Sequence, residues 1–165
     1  MPDAEPFEVL FLCTHNSARS LLAEAILNHT GGGRFRGHSA GSQPATAPHP
    51  LTLATLARLG FPTAGLRSKD WNEFAAPGAP VMDFVFTVCD NAAGEVCPVW
   101  PGQPITARWG VEDPAQGTGT EEVRLREFAR VANLLKRRIE LFASLPLAAL
   151  DRLQRERRVR AIGRP

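Results

Sequence analysis

The sequence contains no tyrosine and only three cysteines, Cys13, Cys89 and Cys97, among its 165 residues. So few thiols, and an odd number of them, argue against a structural disulfide framework. No histidine lies near the later pair, so a four-ligand zinc site is not supported either. Long apolar runs are also missing. Nothing approaches the ~18 residues of a membrane span, and the acidic start MPDAEPFEVL lacks the basic-then-apolar pattern of a secretory signal. The expectation is a cytoplasmic protein with no membrane partner.

Net charge is small, +2 over the chain, but unevenly spread. Residues 152–165 form a basic tail with six arginines against one acid, Glu156, which leaves residues 1–151 at −3. Such a tail can touch nucleic acid, but a solvated helix end accounts for it equally well, and no nucleic-acid partner is expected. Hydrophobic residues at 44% and charged residues at 22% suit one globular domain, residues 1–165, with a single core.

Strand and helix patterns alternate. FEVLFL (7–12) is nearly all apolar, as in a strand buried on both faces. From Ser17 onward Ala18, Leu22, Ala25 and Ile26 recur at helical spacing, and the glycines at 31–33 stop the run. RFRGHSAG (34–41), MDFVFTVC (82–89) and ITARW (105–109) read as further strands, and LTLATLARLG (51–60) as a helix ending at Gly60. Leu125, Phe128, Ala132, Leu135, Ile139 and Phe142 mark a long amphipathic helix, and LAALDRLQRER (147–157) a short one after Pro146. The fold class is therefore α/β, with a small parallel four-stranded sheet and helices on both faces. In such sheets ligands bind beyond the carboxyl ends of the strands, where both Cys13 and Cys89 fall.

The passage LFLCTHNSARSLLAEAIL (10–27) joins strand to helix through a short polar loop. Backbone N–H groups of Thr14, His15, Asn16, Ser17 and Ala18 can converge there on an anion at the helix N-terminus. Arg19 adds a planar fork of donors suited to a tetrahedral oxyanion. The same field should lower the pKa of Cys13, and Ser20 can hydrogen-bond the thiolate. Asn16 is the loop residue that most readily turns left-handed. His15 either lines the mouth of the site or faces solvent.

At CTHNSARS the sequence resembles the low-molecular-weight protein tyrosine phosphatases and the arsenate reductases built on the same fold. The likeness extends through HSAG (38–41), GLRSKDW (65–71), TVCDNAAGEVCP (87–98) and WGVEDPA (109–115). The resemblance implies that Cys13 is the nucleophile, Arg19 the oxyanion clamp, and Asp113, in Asp113-Pro114, the general acid. It also implies a potassium site at Asn16, Glu24, Ser39 and Asp70, unless Lys69 supplies that charge instead.

Two features separate the branches. The phosphatases usually carry tyrosine after Asp-Pro and wall their cleft with aromatic rings. Here Ala115 follows, and only Trp71, Trp100 or Trp109 could form a wall. Ester hydrolysis also needs one cysteine, whereas reducing As(V) to As(III) takes two electrons, which a thiol pair supplies on becoming a disulfide. The segment VCDNAAGEVCP looks like the redox segment of the reductases, which gives Cys89 and Cys97 relay roles. Its two cysteines are one residue further apart than in the thioredoxin-coupled members, which leaves thioredoxin and glutaredoxin with glutathione both open as external reductant; no bound cofactor is expected. The reading is arsenate reduction. The alternatives are a tyrosine phosphatase and a non-enzymatic arsenic-binding module.

Overall fold

The computed structural model describes residues 5–89 and 100–164. Cys97 lies outside the described residues. Four strands, β1 (Phe7–Cys13), β2 (Phe35–Gly41), β3 (Phe84–Thr87) and β4 (Ile105–Arg108), form a parallel sheet in the order β2-β1-β3-β4. The α-helices are α1 (Arg19–Thr30), α2 (Pro50–Arg58), α3 (Glu121–Ala143) and α4 (Arg152–Ile162). None of the helices among the described residues is long and apolar enough to cross a membrane.

The position of β1 in the sheet explains why its sequence is apolar from Val9 onward. Val9, Phe11 and Cys13 join one core cluster while Leu10 and Leu12 join another, so alternate side chains of β1 enter opposite layers. The first layer holds α1, α2, α3 and Val159 of α4, around a Trp109–Phe86 stack at 4.0 Å. The second is covered by Trp71 and Phe74 of a 3₁₀ turn (Trp71–Phe74), with Met82 and Trp100. α1 is buried nearly all round because it is sandwiched between the sheet and α3. α3 is one-sided, and Thr120 caps it by accepting from the Val123 amide at 3.2 Å.

Two boundaries differ from the sequence reading in ways that matter: the strand expected over 82–89 spans only Phe84–Thr87, which leaves Cys89 beyond it, and the last helix starts late. LAALDRLQRER is not a single helix: a 3₁₀ turn spans Leu147–Ala149, Leu150 is extended, and α4 begins at Arg152. Asp151 causes the break, because its carboxylate accepts from the Gln154 amide at 2.8 Å as an N-cap.

The chain passes from β1 to β2 on one side and then to β3 on the other. The gap beyond the carboxyl ends of β1 and β3 is thus the point where strand order reverses. Cys13 ends β1, and Cys89 lies two residues past β3.

Candidate active site

The loop between β1 and α1 is turned inside out by its neighbours. Gln43 N–H donates to the Thr14 carbonyl and Ala45 N–H to the His15 carbonyl. The Ser68 hydroxyl donates to the Asn16 carbonyl at 2.6 Å, while His49 N–H and the Thr52 hydroxyl both donate to that of Ser17. With four consecutive carbonyls held outward, the amides of His15, Ser17 and Ala18 have no protein acceptor among the described residues. Asn16 completes the turn at φ 48°, as its left-handed tolerance suggested. Gly41, at the end of β2, presses against the loop so closely that a Cβ there would lie 2.4 Å from the Thr14 carbonyl oxygen. The result is a cradle of donors with no native acceptor, which suits a tetrahedral oxyanion. His15 bonds through Nδ1 to the Gln43 carbonyl and sits on the exposed side of the loop.

Cys13 Sγ lies at the base of the cradle, 2.8 Å from the Ser20 hydroxyl and 3.2 Å from the Asn16 amide. Its pKa corrects the sequence expectation. Burial pushes the thiol above its ordinary value, and the Ser20 hydrogen bonds and the Arg19 charge offset only part of that. The cradle favours an anion, but desolvation of a thiol only 2% exposed outweighs that pull.

Arg19 is buried and held from behind: Nη1 donates to the Val111 carbonyl at 3.2 Å, and Nη2 lies 3.5 Å from the Asp113 carboxylate. Asp113 caps a 3₁₀ turn (Pro114–Gln116) by accepting from the Ala115 amide at 3.0 Å. The turn expected from Asp-Pro therefore exists, and it carries the carboxylate to Arg19. Beside it, His49 caps α2 through Nδ1, which accepts from the Leu51 amide. Burial and Arg124 lower the His49 pKa, which keeps that nitrogen free to accept. None of the three tryptophans walls the cleft. Trp109 is fully buried with Phe86, and Trp71 and Trp100 fill the second core layer.

The cation site takes a definite form. Lys69 Nζ contacts the Arg67 carbonyl at 2.8 Å, Ser39 Oγ at 3.3 Å, Asn16 Oδ1 at 3.4 Å and the Glu24 carboxylate at 3.6 Å. Three of the four residues expected to hold potassium thus surround an ammonium. The fourth, Asp70, caps the Trp71–Phe74 turn through the Asn72 amide instead. With Lys69 in the centre, potassium does not fit, and the expectation of that metal is corrected. Lys69 reaches the nucleophile through Asn16, whose Nδ2 donates to Ser20 Oγ at 2.7 Å. Sequence spacing could not align Lys69 with a loop 53 residues earlier.

Cys89 is a free, buried thiol at 1% exposure, hydrogen-bonded at 3.7 Å to the hydroxyl of Thr14, the residue next to Cys13. β1 and β3 are hydrogen-bonded neighbours in register Leu12 to Thr87, so Cys13 ends one strand and Cys89 lies two residues beyond the end of the next. The nearby Cys89 adds to the cost of ionising Cys13, behind the larger effect of burial.

Fold and loop define a class: α/β proteins in which a Cys-x5-Arg loop at the switch point of a parallel sheet binds an oxyanion over a cysteine. A family model described as low molecular weight phosphotyrosine protein phosphatase matches residues 8–159. The chain belongs to that family. Among curated proteins it is 33% identical to an arsenate reductase of Halalkalibacterium halodurans over 135 residues, 82% of this chain and 94% of the other. It is 29% identical to a glutaredoxin arsenate reductase of Synechocystis over 133 residues, 81% and 93% of the two chains. Among solved structures it resembles an arsenate reductase in the phosphate binding state (28% identity, TM-score 0.69, 84% and 97% covered). A thioredoxin-dependent arsenate reductase of Corynebacterium glutamicum matches at 30% identity and TM-score 0.55, with 84% of this chain and 65% of that one covered.

Proposed function

We propose that this protein reduces arsenate to arsenite at Cys13, using Cys89 as the second thiol. The observation that carries the reading is a second buried free thiol just beyond the end of the strand next to the nucleophile. Ester hydrolysis has no use for it. The absence of an aromatic wall among the described residues and the likeness to arsenate reductases point the same way.

Arsenate binds in the cradle between the loop amides and Arg19. Cys13 rests as a thiol, so an arriving hydrogen-arsenate dianion takes its proton, leaving a thiolate facing a less charged oxyanion. The sulfur attacks arsenic, one arsenic–oxygen bond breaks, and that oxygen leaves as water with a proton from Asp113. Cys89 then gives its proton to an oxygen on arsenic and attacks Sγ of Cys13, breaking the sulfur–arsenic bond. The sulfur–arsenic electron pair stays on arsenic, As(V) becomes As(III), arsenite departs, and a Cys13–Cys89 disulfide remains. Attack by Cys97 on Cys89 would move the disulfide outward and restore Cys13. An external thiol reductant, thioredoxin or glutaredoxin with glutathione, supplies the two electrons. Lys69 serves as an internal cation that holds Asn16, and through it Ser20, against Cys13.

The test is Cys89→Ser. It should retain phosphate binding and slow hydrolysis of small aryl phosphates, since the cradle and thiol are untouched, but release no arsenite. Full arsenate reduction by Cys89→Ser sinks the redox assignment. Efficient phosphotyrosine hydrolysis without arsenate reduction by the wild type makes the protein a phosphatase.

A further inference from the structure

The established parts of the site leave the arginine-rich end of the chain unused. α4 runs beside β4, the edge strand: Arg152 reaches the Gln103 carbonyl before β4, Arg160 the Thr106 carbonyl within it, and Gly163 lies against the Arg108 carbonyl at its end. The carboxyl end of α4 therefore sits at the carboxyl end of the sheet, with the thiols. Arg108 pairs in register with Thr87, two residues before Cys89. Arg108 thus stands ~4.8 Å across the sheet from Thr87, and Cys89 follows two residues beyond the strand.

Around that strand end gather Arg108, Arg138, Arg160 and Arg164. Arg138 donates to the carbonyls of Trp109 and Gly110 at 2.8 and 3.1 Å rather than to a carboxylate. Arg108 and Arg164 are exposed, and among the described residues neither has a carboxylate within ion-pairing distance. Among the described residues, the acids of this region are committed elsewhere: Glu112 to Arg130, Glu156 between Arg152 and Arg160, and Asp113 to Arg19. Among the described residues a packed helix thus keeps a collar of arginines at the thiol end of the sheet, a concentration of like charge that favours an anionic partner.

We propose that this collar is the docking surface for a protein dithiol reductant whose face around its reactive cysteine is acidic. The inference rests on the reductase reading, because only a disulfide cycle needs such a partner. A protein fits better than a small thiol, since the guanidiniums spread along β4 and α4 rather than converging on one point. Once docked, the partner's thiolate attacks the enzyme disulfide containing Cys89, forming a mixed disulfide and freeing one enzyme thiolate. The partner's second thiol breaks the mixed bond. Two electrons and two protons have then passed, the partner leaves as a disulfide, and both enzyme thiols are reduced.

Wild-type and Arg108→Glu/Arg164→Glu enzymes would be compared in arsenate reduction driven by thioredoxin with its reductase, by glutaredoxin with glutathione, and by dithiothreitol. With whichever protein reductant drives the wild type better, the reversal should lower kcat/KM for that reductant by about tenfold or more at low salt, chiefly through KM. The gap should narrow above about 0.1 M salt, where the screening length falls to ~10 Å. Arg108→Lys/Arg164→Lys should keep most of the wild-type value, and dithiothreitol-driven turnover should be unchanged in both. Wild-type kcat/KM for the protein reductant that does not fall with salt overturns the proposal without any variant. So does an equal loss with dithiothreitol, which would mean the arginines act on the site itself. If the wild type reduces no arsenate even with dithiothreitol, the functional reading fails first, and separately.

Discussion

Replacing Lys69 with methionine removes the ammonium at the centre of the oxygen cage while keeping much of its apolar stem. The charges it leaves behind set the magnitude. Lys69 and Glu24 are 8% and 14% exposed and 3.6 Å apart, and burial already pulls the Lys69 pKa below its ordinary value despite the pull of Glu24. The pair is therefore a poor net source of stability, yet breaking it from one side is expensive. Removing one member of a buried pair costs ~3–5 kcal/mol. Here the Ser39 hydroxyl still donates to Glu24 at 2.7 Å, so about 2–4 kcal/mol is expected, or a Tm lower by roughly 4–16 °C for a domain of this size. Glu24→Gln/Lys69→Met, which removes both charges, should recover most of that loss.

The functional consequence runs through Asn16. Its Oδ1 keeps the Lys69 amide at 2.9 Å but loses the ammonium. The left-handed turn is then held less firmly, and phosphate affinity should fall about tenfold, the equivalent of ~1.4 kcal/mol for one weakened charge-assisted hydrogen bond. Thermal melts with and without phosphate measure both effects. A smaller side chain gives a further check. Lys69→Ala leaves a cage lined by Asn16, Ser39, Glu24 and the Arg67 carbonyl, all oxygen donors suited to a hard cation. Potassium chloride should raise its Tm relative to choline chloride at equal ionic strength, while the wild type should respond to neither. Lys69→Met that melts and binds phosphate like the wild type refutes the internal-cation role, and so does a wild type activated severalfold by potassium.

Two shorter predictions address the loop. Because burial holds the Cys13 thiol above its ordinary pKa, alkylation of the phosphate-free enzyme by iodoacetamide should keep accelerating through the normal thiol range; a plateau below neutral pH would show the thiolate already formed. Gly41→Ala pushes a methyl group to within 2.4 Å of the Thr14 carbonyl oxygen, so it should cost ~1–3 kcal/mol and weaken phosphate binding disproportionately. Unchanged phosphate affinity in a folded Gly41→Ala protein would show that the loop can shift without harm.

What could be read from the sequence is what short-range pattern encodes. The apolar run of β1 and the helical spacing of α3 are local, and so is a strand–loop–helix passage holding Cys13, Arg19 and a left-handed Asn16. The Trp71–Phe74 turn was missed because four residues are too few to show a period, although its two aromatic side chains cover half the second core layer. Lys69 could be suspected but not located: its partners come from the loop, α1 and β2, and no window of sequence contains them all.

The pKa of Cys13 shows most clearly why local reading falls short. Every feature visible in CTHNSARS favours the thiolate: free amides, a helix start and an arginine. The opposing effect is desolvation, which depends on what covers the loop. That cover comes from elsewhere in the chain, since residues 42–52 and Ser68 grip the loop carbonyls from outside and Gly41 closes against them. The same contacts that aim the amides inward also keep water off the sulfur. A cradle built this way cannot both hold its donors free for a substrate and leave its nucleophile well hydrated. Desolvation therefore favours the neutral thiol, and in the mechanism proposed above the oxyanion that fills the cradle serves as its base. Specificity follows from that coupling: a tetrahedral anion basic enough to take the proton turns the site on, whereas sulfate, with the same shape but little basicity, should occupy the cradle without raising the reactivity of Cys13.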